Sequence, residues 1–231
     1  MTTMEGWWFA AKSADGKVRL PHGDGRIVRA GETLTVPGPV VLCERGLHAS
    51  VRAIDALEYA PGSIVCRVRM GGEIVAPKGE NKLAATERTV LWMADADRAL
   101  HEFAVWVARQ ALLRERKRGR EPDKRSWNAL RVKARWIQGK ATEAELAAAR
   151  DAAWDAARAA ARAAAMAAAW DAARAAAWDA AMAAAWDAAM AAPRAAARAA
   201  ANKKLETMLN RLPKRRSPRP PAAKEESSDG R

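Results

Sequence analysis

The chain has 231 residues, a formal net charge of +13 and an apolar fraction of one half. From Ala141 to Ala201 that fraction is nearly all alanine, so the residues able to build an ordinary core lie mostly before Ile137. Cys43 and Cys66 lack metal-ligand spacing, the start MTTMEGWWFAAKS lacks an export pattern, and no long charge-free apolar run exists. These features predict free thiols, a cytoplasmic location, no membrane span, no metal and no cofactor.

Residues 5–94 alternate short β-prone runs with turn signals, which predicts a small antiparallel sheet. The expected strands are 6–12, 25–28, 32–36, 40–43, 63–70 and 88–93, with turns at Asp15-Gly16, Gly23-Asp24-Gly25, Pro37-Gly38-Pro39 and Gly71-Gly72. One helix interrupts them. Ser50 reads as its N-cap, Ile54, Leu57 and Tyr59 as its apolar face, and Pro61-Gly62 as its stop.

A second helix begins near Asp95 or Asp97, where Leu100, Phe103, Val107 and Ala111 recur at helical spacing, and ends at Gly119. A third runs from Asp123 or Ser126 to Gln138. Thr142, followed three residues later by Glu145, reads as a capping box that opens a fourth. The fold class is therefore α+β: a small antiparallel β-rich domain, then a helical hairpin and a long alanine-rich α-helix. The expected divisions are 1–95, a basic two-helix segment 96–140, a repeat helix 141–212 and a disordered basic tail 213–231.

The repeat places a large residue at every fourth position, including Trp154, Trp170, Trp178 and Trp186, each followed by aspartate. A step of four residues overshoots a helical turn by about 40°, so the stripe winds round the helix. Measured from Trp154, the other three point to about 160°, 240° and 320°. No single flat neighbour covers all four, which marks them as candidate contacts for a protein partner or for self-association.

Charge is uneven along the chain. Residues 114–140 carry eleven basic and three acidic side chains, and 202–231 carry nine and four. Such blocks attract polyanions through counterion release, so Lys117, Arg118, Arg120, Lys124 and Arg125 are candidate nucleic-acid contacts.

LCERGLHAS places His48 between an expected strand and a helix, with Tyr59 one helix later and Glu87 beside a later strand. A His, Tyr and Glu gathered at one end of a split sheet would resemble the nicotinamide-binding triad of ADP-ribosyltransferases. That makes the three candidate catalytic residues of an alternative, enzymatic reading.

Residues of about 5–95 resemble a domain of unknown function found in phage and prophage genomes. In that family a Cys-Glu-x-Gly-x-His segment precedes a short helix and a strand; Cys43, Glu44, Gly46, His48 and Tyr59 match it here. HEFAVWVARQAL and the segment from PDKRSWNALRVKARWIQGK into the alanine repeat are similar to the helical region of immunity proteins. Neither family has an established activity, so the resemblances bear on fold more than function; the leading expectation is a non-enzymatic accessory protein of phage or prophage type that binds a macromolecule through its helical arm and basic blocks. Nonspecific nucleic-acid binding is a further alternative.

Overall fold

The computed structural model describes residues 2–20, 25–175 and 180–215, and side chains within these except at 160–193. The chain divides into two units. The first comprises residues up to Asp95 together with those from Leu212, and the second comprises Ala96–Arg211.

The first unit is a five-stranded antiparallel sheet. Its strands are β1 (Met4–Ala10), β2 (Thr33–Thr35), β3 (Leu47–Ala49), β4 (Ile64–Val75) and β5 (Leu83–Asp95). The order is β1-β4-β5-β2, and β3 pairs with the start of β5, just before the stretch that β2 pairs with. Ser50, one residue beyond β3, exchanges both backbone hydrogen bonds with Trp7, at 2.7 and 2.9 Å. The sheet therefore curls until its β3 side meets β1. The helix α1 (Ala53–Leu57) begins three residues after Ser50, so Arg52 and not Ser50 occupies the N-cap position, without a side-chain cap.

Two expected strands shrink to isolated bridges, Arg19 with Ile27 and Val41 with Arg45. Gly71-Gly72 does not turn the chain. Gly72 takes a φ of +70° inside β4, and the Glu73 amide donates to Thr86 Oγ1 at 3.0 Å, so the glycines make a bulge and the strand continues to Val75. Beyond the helical unit, Arg215 exchanges backbone hydrogen bonds with Met93 and Lys214 lies over the Trp92 ring at 4.9 Å. The segment expected to be a loose tail from 213 is thus tied to β5 at its start.

One face of the sheet carries the main core: Leu34, Val68, Met70, Cys66, Val90 and Ile64, with Trp8 packed against them. Burying each such aliphatic side chain contributes roughly 1.5–3 kcal/mol against leaving it in water. On the other face Trp7 meets Trp92 edge to face at 5.8 Å, and Arg67 lies 4.9 Å over the Trp7 ring.

The second unit is helical: α2 (Asp97–Lys117), α3 (Lys124–Ile137), α4 (Glu143–Ala175) and α5 (Ala180–Asn210). Asp123 caps α3 by accepting the Arg125 amide at 2.8 Å. The capping box of α4 forms as read: the Thr142 amide donates to Glu145 Oε2 at 2.7 Å and the Glu145 amide donates to Thr142 Oγ1 at 3.1 Å. His101 on α2 meets Trp136 on α3 edge to face at 5.0 Å. α4 packs on α3 and α5 on α2, so both ends of the alanine-rich region rest on the hairpin. Ala149 and Ala156 on α4 and Ala201, Leu205 and Leu209 on α5 are buried. Among the described residues no helix is long and apolar enough to cross a membrane.

Candidate functional site

A cleft of about 680 Å³ opens in the sheet unit. Its apolar wall includes Trp8, Phe9, Leu20, Val36 and Leu47. Around its mouth stand Cys43, Arg45, His48, Tyr59 and Lys82, and at its base lies Arg88. A volume of this size suits a small organic ligand, and a mostly apolar wall with a few convergent polar groups is the usual make-up of such a site.

Arg88 is the residue that sequence reading missed. It sits in β5 between Leu34 and Met70, its partners across the neighbouring strands, on the core face. Only 2% of it is exposed. The guanidinium carbon stacks over the Trp8 ring at 3.8 Å, and Nη1 donates to the His48 carbonyl at 2.8 Å. Nε and Nη2 are buried without an acceptor. Burial pulls the guanidinium down to about 10, and it is still charged at neutral pH. Burying an unpaired cation costs several kcal/mol, which the contact with Trp8 offsets only by about 2 kcal/mol.

The neighbouring loop is held by the glycine and histidine of the Cys-Glu-x-Gly-x-His segment. Gly46 has a φ of +135°, and an added Cβ would stand 3.1 Å from Val40 and 3.2 Å from Ala84. Cys43 takes a φ of +73°, uncommon for a residue with a side chain. Its amide donates to His48 Nε2 at 3.1 Å, fixing the loop to β3. The Cys43 thiol stands beside the Lys82 ammonium and raises its pKa above the ordinary value.

His48 is therefore a strand residue, paired with Ala84, and not the loop residue expected from sequence. Tyr59 is half exposed; its hydroxyl donates to Asn81 Oδ1 at 2.7 Å, and Lys82 lies 4.7 Å from its ring. His48 and Tyr59 both line the cleft. Glu87 does not join them. It is exposed and next to Arg88 on β5, so strand alternation sends its side chain to the opposite face.

The other candidates lie in the helical unit. Lys117, Arg118, Arg120, Lys124 and Arg125 gather at the α2–α3 turn, where much of their charge is met locally. Glu115 accepts from Arg118 at 3.3 Å and from Arg120 at 2.6 Å, and Asp123 pairs with Arg125 at 2.8 Å. Lys117 and Lys124 are exposed with no ion pair among the described residues. Trp154 is 59% exposed; the side chains of Trp170, Trp178 and Trp186 lie outside the described residues. No group of His, Cys, Asp or Glu among the described residues could hold a metal ion.

Residues 25–102 match the model of a domain of unknown function, DUF7666. The match begins later than the expected resemblance and takes in the Cys43–His48 loop, Tyr59 and Arg88. It covers β2 to β5 and the start of α2, and leaves out β1 with Trp8. No curated protein and no solved structure matches the chain.

Proposed function

We propose that the sheet unit is a ligand-binding module, non-enzymatic in itself, whose cleft takes an anion at Arg88. The observation that carries this is the buried guanidinium with two N–H groups left without an acceptor in a residue that lines an open cleft. Such groups are among the costliest to leave unpaired, and an incoming anion removes the cost. A catalytic role for His48, Tyr59 and Glu87 gains less support: Nε2 of His48 already accepts the Cys43 amide, and Glu87 faces away. The two free thiols support a reducing compartment such as the cytoplasm.

The test is a titration of the full chain with phosphate, sulfate and benzoate at constant ionic strength, following Trp8 emission as the difference from a Trp8→Phe chain. A saturable change with at least one anion, lost in Arg88→Met, is expected. No saturable change with any of them, or an equal change in Arg88→Met, overturns the reading.

For the helical unit we propose a second role, contact with a macromolecular partner of the accessory or immunity kind; the phage and prophage likeness belongs to residues 5–95. Exposed Trp154, together with Lys117 and Lys124, favours it. Polyanion binding through the turn predicts affinity that falls steeply with salt, with a shallower slope in the Lys117→Ala, Lys124→Ala double variant. A salt slope unchanged by the double variant would remove these two lysines from the interface.

A further inference from the structure

The nitrogens that Arg88 leaves unpaired are a particular pair. Nε–H and Nη2–H lie parallel on one edge of a guanidinium and form the fork that grips the two oxygens of a carboxylate. Among the described residues the same fork grips both oxygens of a carboxylate at Arg52, Arg116 and Arg125. Arg52 donates from Nε and Nη2 to the two oxygens of Asp55 at 2.7 and 2.8 Å. Arg116 does so to Glu121 at 2.8 and 2.7 Å, and Arg125 to Asp123 at 3.1 and 2.8 Å. In Arg88 the third nitrogen, Nη1, is committed to the His48 carbonyl, so the guanidinium is held in one orientation with this edge spare.

The register and ring neighbours of Arg88 are apolar. Leu34 and Met70 flank Arg88 on the neighbouring strands, Trp8 covers its face, and the thiol of Cys66 is pushed up to about 12 by burial and so carries no charge. The other cations that line the cleft, Arg26, Arg45 and Lys82, are all at least partly exposed. A single buried cation matches a single negative charge. A phosphate dianion needs several donors, commonly including backbone N–H groups or a helix end. The wall of Trp8, Leu20 and Val36 asks for a hydrocarbon or aromatic body.

We infer that the ligand of this cleft is an apolar monocarboxylate, its two oxygens held edge-on by Nε and Nη2 of Arg88 and its body lying against Trp8, Leu20 and Val36. The inference rests on the reading of the cleft as an anion site and names the anion's class. Because both nitrogens are shut from solvent, the carboxylate displaces a side chain that now covers them. Trp8, half-buried and stacked on the guanidinium, is the cleft residue whose indole reports that displacement.

The experiment uses the full chain and four probes: phenylbutyrate, phenylbutyramide, phenyl phosphate and N-acetylphenylalanine. Calorimetry gives affinities, and the Arg88 Nε–H resonance, assigned by its loss in Arg88→Lys, reports the contact. Phenylbutyrate should bind at least about tenfold more tightly than the amide, which lacks the charge and the second acceptor oxygen. It should also shift the Arg88 Nε–H resonance and bind about tenfold more weakly to Arg88→Lys, which keeps a charge without the fork. Tighter binding of N-acetylphenylalanine than of phenylbutyrate would support the same carboxylate chemistry and identify a peptide terminus as its source. Phenyl phosphate binding in preference to both carboxylates overturns the carboxylate class while the anion reading stands. Binding of none of the four overturns the inference, and phosphate and sulfate then decide the anion reading separately. Should Arg88→Lys not fold, an Nε–H spectrum that phenylbutyrate leaves unchanged in the native chain overturns the inference by itself.

Discussion

The guanidinium carbon of Arg88 lies 3.8 Å from the centroid of the Trp8 ring, so a charge buried in the core face of the sheet is capped by an indole that also lines the cleft. The pair connects stability to binding. What costs the free protein energy is what a ligand would use.

Arg88→Met keeps the length and apolar stem of the side chain and removes the buried charge. It also loses the donor to the His48 carbonyl, which costs about 1 kcal/mol. Relief of the unpaired charge outweighs that loss, and the variant should be more stable by about 1–3 kcal/mol in urea unfolding. Arg88→Ala, which leaves a cavity as well, should be less stable than Arg88→Met by at least about 2 kcal/mol.

Gly46→Ala tests the loop beside the site. The new Cβ meets Val40 and Ala84 at 3.1 and 3.2 Å and demands a φ of +135° from a residue with a side chain. Destabilisation of about 2 kcal/mol is expected by urea unfolding, together with weaker binding in the cleft. A neutral result would show that the loop yields at no cost.

The two thiols should differ sharply in reactivity. Cys43 is exposed at the mouth of the cleft beside Lys82, whereas Cys66 is fully buried with its pKa pushed up to about 12 by burial. Titration of the native chain with a thiol reagent should count one group quickly and the second only on unfolding, and Cys43→Ser should abolish the fast phase. An anion in the cleft should slow that phase.

Acid should loosen the start of α3. The hydrogen bond from the Arg125 side chain, reinforced by the Arg125 amide, lowers Asp123 from 3.8 to about 2. A carboxyl whose folded pKa is depressed contributes its full stabilisation above the unfolded value and loses it as pH falls through the folded one. Amide exchange at Arg125 should therefore accelerate between about pH 4 and pH 2. Asp123→Ala should exchange rapidly throughout and show no such step.

The parts of the fold legible in the sequence are those set by near neighbours. The Thr142–Glu145 box and the α2 and α3 boundaries depend on residues within one turn. β3 is not legible in this way because His48 becomes a strand residue only by pairing with Ala84 on β5, and Ser50 extends that pairing to Trp7, far away in sequence, with α1 starting three residues later. Arg88 resembles any other strand charge in the run Thr86-Glu87-Arg88-Thr89. Its burial is decided by Leu34, Met70 and Trp8 closing round it, so alternation alone points to the right face without saying that a cation sits there unpaired. Cys43, Gly46 and His48, which carry the likeness, all line the cleft.

A crystal structure of the full chain grown with bromobenzoate tests the central claim most directly, because bromine scatters anomalously and marks the ligand without ambiguity. The account predicts a bromine peak in the cleft against the Trp8 and Leu20 wall, with the carboxylate oxygens within hydrogen-bonding distance of Nε and Nη2 of Arg88. A cleft without bromine in crystals that hold it elsewhere, or a carboxylate bound only by the exposed Arg45 and Lys82, would contradict it.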